Sequence, residues 1–477
     1  MKTKGLILMI LSCVAVLMVA CSKFETTEAT DIYMNNAQLK KASAVPMFIV
    51  EPGGGDDTPA IMQAFMDAKA AGAGSVVQLV EGEYHLGLIE IRDFYGSFRG
   101  AGKDKTIITA MNNLGAQALL AQGQYPQLVK FVGGDVYLSD FTLRTPEGAI
   151  SDMATGHIQC LVNFSAYNAI YELGDQSRSI NAVIDNVSFS GQFYEAGMGF
   201  YKYKYNCMYA VRTGWDCIGV SGLPRENINL KITNSDINTF CYGVVLEAMK
   251  NSEVIVGETN NGNVFNVCEQ GGGIWESRGM KIIVEGNTFN VPQYCWGFDV
   301  NDYPYYKFLE NEPEIETTIC NIQFNVFNLI SADYGLYFRN QRHFLYPGEK
   351  PMAIQVKNNL FNMTDYYPWA IYSQVTKGMV IRNNKMSGYA YDGIVLDLYS
   401  AEGLILGNNF SAAEYYRSSV LLVANTHGWT VVGGNVADNV LNMGTDNIIT
   451  GFNVSTTDEP LGSRISGKIS EMNKLMH

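Results

Sequence analysis

Beyond about residue 50, short stretches of alternating apolar and polar residues repeat along the chain, and each ends in the same motif. The motif is Asn, one spacer and a large apolar residue, as in Asn263-Val264-Phe265 and Asn325-Val326-Phe327. It recurs at Asn186, Asn263, Asn287, Asn325, Asn359, Asn384 and Asn408, with weaker copies at Asn234 and Asn435. The shortest spacing, 24 residues, suits three short strands and three turns. The pattern therefore predicts the coils of a parallel β-helix.

The repeated Asn is expected to serve the fold. An Asn side chain bonds its own backbone and tolerates left-handed dihedral angles, and stacked copies bond each other. The large residue two positions later then points into the coil.

An amphipathic segment ahead of the coils predicts a helix that covers their open end. Thr58 is its expected N-cap, Pro59 lies in its first turn, and the run 72–74 (Gly-Ala-Gly) ends it. Its apolar positions are Ile61, Phe65 and Ala68. At the other end, residues 463–477 are expected to form a terminal cap or tail.

Three runs near the start of the coils resemble a known family. They are Asp56-Asp57-Thr58-Pro59-Ala60-Ile61, Val80-Glu81-Gly82-Glu83-Tyr84 and Arg99-Gly100-Ala101-Gly102-Lys103. They resemble the N-terminal cap and first coils of pectate-lyase-superfamily proteins, over about residues 50 to 110. The resemblance implies a right-handed parallel β-helix, an extracellular location and a polysaccharide ligand. The catalytic signatures of the family's polygalacturonase-like hydrolases and pectate lyases are absent, so the fold does not supply an activity.

The first twenty residues have the pattern of a secretory leader, with Lys2 and Lys4 before an apolar run and Ala20 before Cys21. Residues 17–22 resemble a bacterial lipobox, which implies that Cys21 is acylated and becomes the N-terminus. Residues 21–45 then form a tether and residues 46–462 the β-helix domain. We expect an outer-membrane lipoprotein, periplasmic or surface-facing; ordinary secretion with an inert Cys21 is the alternative.

Composition and charge narrow the function classes. The chain has 477 residues, 47% of them hydrophobic and 17% charged, which excludes a disordered protein. A formal net charge of -14 argues against nucleic acid as a partner. Outside the leader and Cys21, the cysteines are odd in number and include no CxxC, so neither a disulfide framework nor a zinc site is indicated. We expect a monomer without a cofactor.

Aligning the coils places one strand of each on a common outward face. About ten residues after each Asn, a strand opens with a small residue: Gly243, Gly273, Gly297, Gly335, Ala370 and Gly393. The alternation of strand side chains turns the second and fourth residues after it outward. One predicted row contains Trp275, Asp299, Tyr337 and Tyr372, and the neighbouring row contains Glu247, Asn301, Arg339 and Gln374.

These rows predict a carbohydrate-binding face, because aromatic rings stack on sugar CH groups while polar edges bond hydroxyls. The expected binding residues are Trp275, Asn301, Tyr337, Tyr372 and Gln374. The alternative is that aromatic residues merely decorate a strand surface that favours them. Insertions at 302–318 and 340–351 are predicted to wall the same face.

The catalytic candidates are Asp299, Arg339 and Glu247. A lyase needs a cation that neutralises a uronate and a base that takes the C5 proton. Arg339 suits the first role, and Tyr337, Arg342 or His343 the second.

A hydrolase needs two carboxylates about 5 Å apart for retention, or about 6.5 to 9.5 Å for inversion. Strand geometry puts Asp299 and Glu247 roughly 12 Å apart, so Asp302 and Glu276 are alternative partners of Asp299. Asp299, Asn301 and Asp302 could instead hold Ca²⁺, although three oxygen residues in a turn are weak support.

The sequence as a whole predicts an exported, lipid-anchored β-helix protein that acts on a polysaccharide as a hydrolase or lyase. The alternatives are a non-catalytic glycan-binding or adhesive surface protein, and a purely structural envelope protein.

Overall fold

The described chain winds as a parallel β-helix, as predicted. The computed structural model describes residues 45–111, 122–146, 158–168, 177–195, 203–205, 207–214, 223–266, 269–293, 295–301, 317–339, 350–364, 368–433 and 439–456. Within these ranges, 32 strands form one parallel sheet. Phe193–Glu195 and Tyr203–Tyr205 form a separate antiparallel pair.

Three faces run along the coils, and from Asn227 to Gln374 successive strands fall on faces 1, 2 and 3 in turn. Face 1 comprises Met47–Val50, Ser75–Leu79, Asn227–Thr233, Glu253–Val256, Lys281–Glu285, Ile319–Gln323, Ala353–Lys357, Val380–Arg382, Leu404–Leu406, Thr430–Val432 and Ile448–Thr450. Face 2 comprises Gly82–Leu86, Thr106–Ala110, Asp236–Asn238, Val264–Asn266, Thr288–Val291, Val326–Leu329 and Leu360–Thr364. Face 3 comprises Ile158–Ser165, Cys207–Thr213, Tyr242–Glu247, Gln270–Trp275, Trp296–Asn301, Tyr334–Arg339, Trp369–Gln374, Asn439–Asn442 and Asn453–Ser455. Five long strands turn a corner and join more than one face: Ile89–Arg99, Gln127–Arg144, Ser179–Ser190, Lys385–Asp397 and Asn409–Leu422.

A ladder of buried Asn side chains runs along one corner and confirms the structural role expected of the motif. Its members are Asn263, Asn287, Asn325, Asn359, Asn384 and Asn408. Each side-chain amide donates to the Oδ1 atom of the next member, at 2.9 to 3.0 Å. The same Oδ1 atom also accepts the backbone N–H of the preceding member. The ladder thus satisfies buried backbone and side-chain groups together.

The left-handed residue at this corner is the one before the ladder Asn, as at Phe324 and Asn358. Asn186 and Asn234 occupy this preceding position, with φ of 56° and 52°, so their predicted equivalence to the ladder residues is wrong by one residue. Ser235 takes the ladder level instead, and its N–H donates to Asn263 Oδ1 at 3.0 Å. Asn435 lies outside the described residues.

The large residue of the motif points inward, as predicted. The rings of Phe265, Phe289, Phe327 and Phe361 stack in series, with centroids 4.5, 4.8 and 4.9 Å apart. The next residue of each strand points outward and builds a second Asn ladder, which contains Asn238, Asn266, Asn290, Asn328 and Asn362.

The helix Thr58–Ala71 packs against the first coils, and Phe65 lies 5.0 Å from Phe94 and 5.1 Å from Phe98 between ring centroids. Asp57, and not Thr58, occupies the N-cap position. The Thr58 hydroxyl accepts the N–H of Gly87 at 2.6 Å, so it ties the helix to a strand.

The predicted leader, Cys21, the tether and the C-terminal segment 463–477 lie outside the described residues, so the domain bounds stay predictions. Across the ranges described above, no helix is long and apolar enough to cross a membrane.

Asn325→Ala should lower the free energy of unfolding by about 2 to 4 kcal/mol, because it leaves buried donors of Asn287 without their acceptor. Urea denaturation followed by circular dichroism measures this loss. Asn328→Ala, on the half-buried outer ladder, is the matched control and should cost less than about 1 kcal/mol. Equal losses in the two variants would contradict the role of the inner ladder.

Candidate functional site

Face 3 carries the two predicted outward rows, with one shift in register. Asp299 pairs with Gly273 on one side and with Tyr337 on the other. Trp275 pairs with Asn301, so it belongs to the row of Glu247, Asn301, Arg339 and Gln374. The prediction that Trp275 shares a row with Asp299 is therefore wrong.

The shift arises in the run Gly271-Gly272-Gly273, which offers three candidates for the small position. Gly271 is the one that fills it, because Gln270 pairs with Tyr242 and Trp296, the residues that precede Gly243 and Gly297. A Cβ at Gly271 would lie 2.5 Å from the carbonyl oxygen of Gly297. The equivalent Cβ at Gly297 would lie 2.4 Å from the carbonyl oxygen of Gly335. The small residue is thus required by the close approach of successive coils.

A third row of aromatic residues was missed by the sequence reasoning. It consists of the residue before each small position: Tyr242, Trp296, Tyr334 and Trp369. These side chains are half-buried, and their rings contact those of the predicted rows. Ring centroids of Tyr334 and Tyr337 are 4.8 Å apart, and those of Trp369 and Tyr372 are 5.7 Å apart. The repeated aromatic-small dipeptide was the available signal.

The rings form two contacting groups along face 3, the pair of Tyr242 with Trp275 and the group from Trp296 to Tyr391, which together we call the aromatic platform. It comprises Tyr242, Trp275, Trp296, Tyr334, Tyr337, Trp369, Tyr372 and Tyr391. Contacts cross from coil to coil, as between Tyr334 and Trp369 at 5.3 Å and between Tyr337 and Tyr372 at 5.5 Å.

Asp299 is a fully buried carboxyl group at this surface. Its Oδ2 atom accepts the indole N–H of Trp275 at 3.3 Å and a guanidinium N–H of Arg339 at 3.2 Å. Its Oδ1 atom is buried without a hydrogen-bond partner. Burial raises the pKa of Asp299 to about 6, against the opposing effect of Arg339. The carboxyl group can therefore exchange a proton close to neutral pH.

Arg339 connects Asp299 to a chain of side-chain hydrogen bonds that begins at Tyr337. Its guanidinium group lies 4.8 Å from the centroid of the Tyr337 ring. The Tyr337 hydroxyl donates to Gln374 Oε1 at 3.0 Å, and Gln374 Nε2 donates to the Tyr372 hydroxyl at 3.2 Å. The Tyr372 hydroxyl donates in turn to Asp397. Burial, together with the bond to Asp397, raises the pKa of Tyr372, so this phenol remains a donor.

The structure thus brings together most of the predicted site residues. Trp275, Asp299, Tyr337, Arg339, Tyr372 and Gln374 lie in one bonded group. Asn301 is buried between Trp275 and Arg339 in the same row.

Glu247 lies apart from this group. Its Oε2 atom accepts two hydrogen bonds from Arg212, at 2.8 and 3.1 Å, and both side chains are buried. The guanidinium group also stacks on the ring of Tyr209. Glu247 stands two coils and two positions from Asp299, roughly 12 Å between backbones. That distance exceeds either hydrolase geometry.

Three indoles on this face each donate to a carboxylate one coil further on. Trp275 donates to Asp299, Trp296 to Asp333 and Trp369 to Asp392. Asp392 is buried like Asp299, but Arg417 and both donors of Ser418 bind its carboxylate as well. Asp299 differs because one of its oxygens has no donor.

Other candidates have less support or fall outside the description. Asp302, Arg342, His343 and most of both predicted wall insertions lie outside the described residues. Glu276 is buried, as its inward parity predicts. The residues that the structure describes contain no group of three or more His, Cys, Asp or Glu side chains arranged to hold a metal.

Comparisons with known proteins find similarity among solved structures. No family model matches the sequence, and no curated protein matches it. The Dettilon tailspike protein gp208 aligns with a TM-score of 0.52 and 11% identity, covering 86% of this chain and 68% of that one. The catalytic domain of a GH87 α-1,3-glucanase, in complex with tetrasaccharides, aligns with a TM-score of 0.48 and 12% identity, covering 87% of this chain and 69% of that one. The A-module of mannuronan C-5 epimerase AlgE6 from Azotobacter vinelandii aligns with a TM-score of 0.46 and 14% identity, covering 85% of this chain and 97% of that one. At such identities the similarity shows the fold alone.

The raised pKa of Asp299 makes a prediction for stability. The unfolded chain releases this proton near pH 3.9 and the folded chain near pH 6, so folding stability falls as pH rises across that interval. Relative to Asp299→Asn, the wild type should lose roughly 2 to 3 kcal/mol between pH 4 and pH 7. Urea denaturation at several pH values tests this. A difference between the two proteins that does not vary with pH would contradict it.

Proposed function

We propose that this protein binds a polysaccharide along face 3 and hydrolyses it, with Asp299 as the proton donor. The observation that carries the proposal is the aromatic platform beside a buried carboxyl group that has one oxygen free of partners. Successive coils lie about 4.8 Å apart, close to the length of one hexopyranose residue. An extended glycan running across the coils would therefore meet an aromatic ring at each step.

Binding would use the two kinds of group that sugars require. The faces of Trp369, Tyr334 and Trp296 offer apolar contact to sugar CH groups. The polar edges supplied by Arg339 and Gln374 offer hydrogen bonds to hydroxyls and ring oxygens. The half-buried state of the rings leaves part of each surface for a ligand.

Asp299 suits the role of general acid. In the protonated state, its carboxyl group would give its proton to the glycosidic oxygen as the bond to the anomeric carbon breaks. A pKa of about 6 keeps a useful protonated fraction near neutral pH. Arg339 holds the carboxylate that remains.

A hydrolase is better supported than a lyase. A lyase would need the charge of Arg339 for a uronate, and the uronate would then have to displace Asp299, which pairs with that guanidinium group whenever it is ionised. The second carboxylate of a hydrolase is proposed to come from Asp302, which follows the Asp299 strand directly in sequence.

The alternative is a non-catalytic glycan-binding or adhesive surface protein with the same platform. It is favoured by the state of three other described carboxylates on face 3. Glu247, Asp392 and Asp397 are held by Arg212, Arg417 and Tyr372 respectively. None of them is placed to serve as the second catalytic group beside Asp299.

The proposal includes export and anchoring. The leader pattern and the lipobox-like run before Cys21 support an outer-membrane lipoprotein that acts as a monomer without a cofactor. These parts rest on the sequence alone.

Purified protein carrying Cys21→Ser should release reducing ends from at least one polysaccharide in a panel, without the ultraviolet absorbance of unsaturated uronates. Asp299→Asn should lower kcat by at least about 100-fold, because the amide has no acidic proton to give. Asp333→Asn is the matched control, since its carboxyl group also accepts an indole bond, and it should keep most of the turnover. Binding without turnover in the wild type would instead establish the non-catalytic alternative.

Trp369→Ala should weaken glycan binding about 10-fold or more, because it removes a central ring of the platform. Affinity electrophoresis in polysaccharide gels measures the change. Phe324→Ala, an exposed aromatic residue at the inner Asn-ladder corner between faces 1 and 2, is the control and should bind normally. Normal binding by Trp369→Ala would contradict the placement of the ligand.

Cys21→Ser should move the exported protein from the detergent phase to the aqueous phase in a phase-separation assay, because the lipid anchor is lost. Retention of the variant in the detergent phase would contradict anchoring at Cys21.

A further inference from the structure

Arginine side chains on face 3 are matched by carboxylates. Arg212 pairs with Glu247 at 2.8 Å, Arg339 with Asp299 at 3.2 Å, and Arg417 with Asp392 at 2.6 Å. The acidic member of each pair is buried. A ligand carboxylate would have to compete with these partners for each guanidinium group.

Three further carboxyl groups on the same face hold hydrogen bonds from uncharged donors. Glu269 accepts from the Cys241 thiol at 3.2 Å, Asp333 from the Trp296 side chain and Asp397 from the Tyr372 hydroxyl. Burial raises the pKa of Glu269 and of Asp333. In the part of face 3 that the structure describes, no ion pair compensates these three groups, so each of them adds negative charge to the face when it ionises.

The free hydrogen-bonding atoms beside the platform include two buried acceptors on neighbouring strands. Asp299 Oδ1 and Gln270 Oε1 are buried without a partner. The Gln270 amide nitrogen donates to the Gly272 carbonyl at 3.1 Å. This bond orients the amide, so its oxygen is the atom left free. Both residues border Gly273, where a Cβ would lie 2.4 Å from Gln270 Nε2.

A buried acceptor without a partner is stabilised by a ligand group that donates a hydrogen bond to it. Sugar hydroxyls donate hydrogen bonds, and a polyuronate offers fewer of them, because the carboxylate that replaces one hydroxyl group of each residue can only accept. A polyuronate would also bring a negative charge with each sugar residue against a face that already carries these uncompensated carboxyl groups. The free acceptors and the charge balance therefore favour the same class of ligand.

We propose that face 3 selects an uncharged, hydroxyl-rich glycan and discriminates against polyuronates. The inference rests on the proposed function, because it takes a glycan as the ligand. The hydroxyls of one sugar residue bind beside Gly273 at Gln270, and at Asp299 in its ionised state, while the neighbouring rings stack on the platform. The Arg339 side chain, which is 23% exposed, lies beside Asp299 at this surface.

Isothermal titration calorimetry of the Cys21→Ser protein tests the selection. The probes are neutral glucans and galactomannan, together with polygalacturonate, alginate and fully methyl-esterified polygalacturonate. Neutral polymers should bind at least about 100-fold more tightly than polyuronates, and their binding constants should change less than about twofold with added salt. Tighter binding of a polyuronate than of every neutral polymer would overturn the inference and leave the proposed function standing. Absence of binding to both classes would overturn the proposed function, and the inference with it.

Charge variants give a second measurement. Asp333→Asn with Asp397→Asn removes two carboxylates that lack a cationic partner among their described contacts, and should raise affinity for polyuronates about 10-fold. Asp236→Asn is the matched control, because it removes one charge on face 2, where Asp236 pairs with Lys103. It should leave the preference unchanged. An equal gain in all variants would show that net charge, and not face 3, sets the preference.

Gly273→Ala probes the free acceptors directly, since the added methyl group displaces the Gln270 amide. Binding of the preferred neutral glycan should weaken about 10-fold, with the unfolding midpoint used to exclude a general loss of fold. Unchanged binding by a folded variant would overturn the placement of the hydroxyls.

Discussion

The register of the coils from Ser235 to Asn408 depends on the hydrogen bonds between stacked side chains, nearly all of them Asn, at one corner. Because strand side chains alternate, a slip of one residue between coils would turn each outward group inward. The ladder prevents such a slip, since each Asn bonds both the backbone and the side chain of its neighbour. The stacked Phe rings fill the space beside it. Register fixed at this corner is carried around the coil and sets Asp299 opposite Tyr337 on face 3.

Face 3 shows how close packing of the backbone shapes a surface for binding. Small residues such as Gly297 and Gly335 allow successive strands to approach, because a Cβ would meet the carbonyl oxygen of the next coil. The aromatic residue before each small one is left on the outside, where rings of neighbouring coils touch. Asp299 is buried among these rings with an incomplete set of partners, a condition that destabilises a folded protein and is common at functional sites.

The architecture was accessible from sequence because it repeats. The Asn-x-Phe motif and strand alternation were enough to predict the coils and most of the outward residues, including Asp299, Tyr337 and Arg339, and a separate amphipathic pattern predicted the cap helix. Failures occurred where the repeat is locally ambiguous or broken. Three consecutive glycines made the register of Trp275 ambiguous. Asn234 occupies the left-handed position before the ladder, so the sequence pattern assigned it to the ladder in place of Ser235. The ion pair of Arg212 with Glu247 could not be predicted, because it joins coils whose spacing along the sequence is irregular. The burial of Asp299 could not be predicted either, because it depends on side chains from several coils.

The inner ladder also changes composition along its length. From Asn263 onward each level is an amide with two bonds to the next, but Ser235 offers only a hydroxyl, and Val187 below it offers a backbone N–H alone. In a molecule where each coil touches only its neighbours, cohesion between coils is the sum of such local contacts. At this junction the strands Ser179–Ser190 and Asn227–Thr233 pair over seven residues, against three between Asn227–Thr233 and Glu253–Val256, and Thr233 and Asn234 donate to Asp185. A longer strand pairing thus joins the coils where the ladder is weakest.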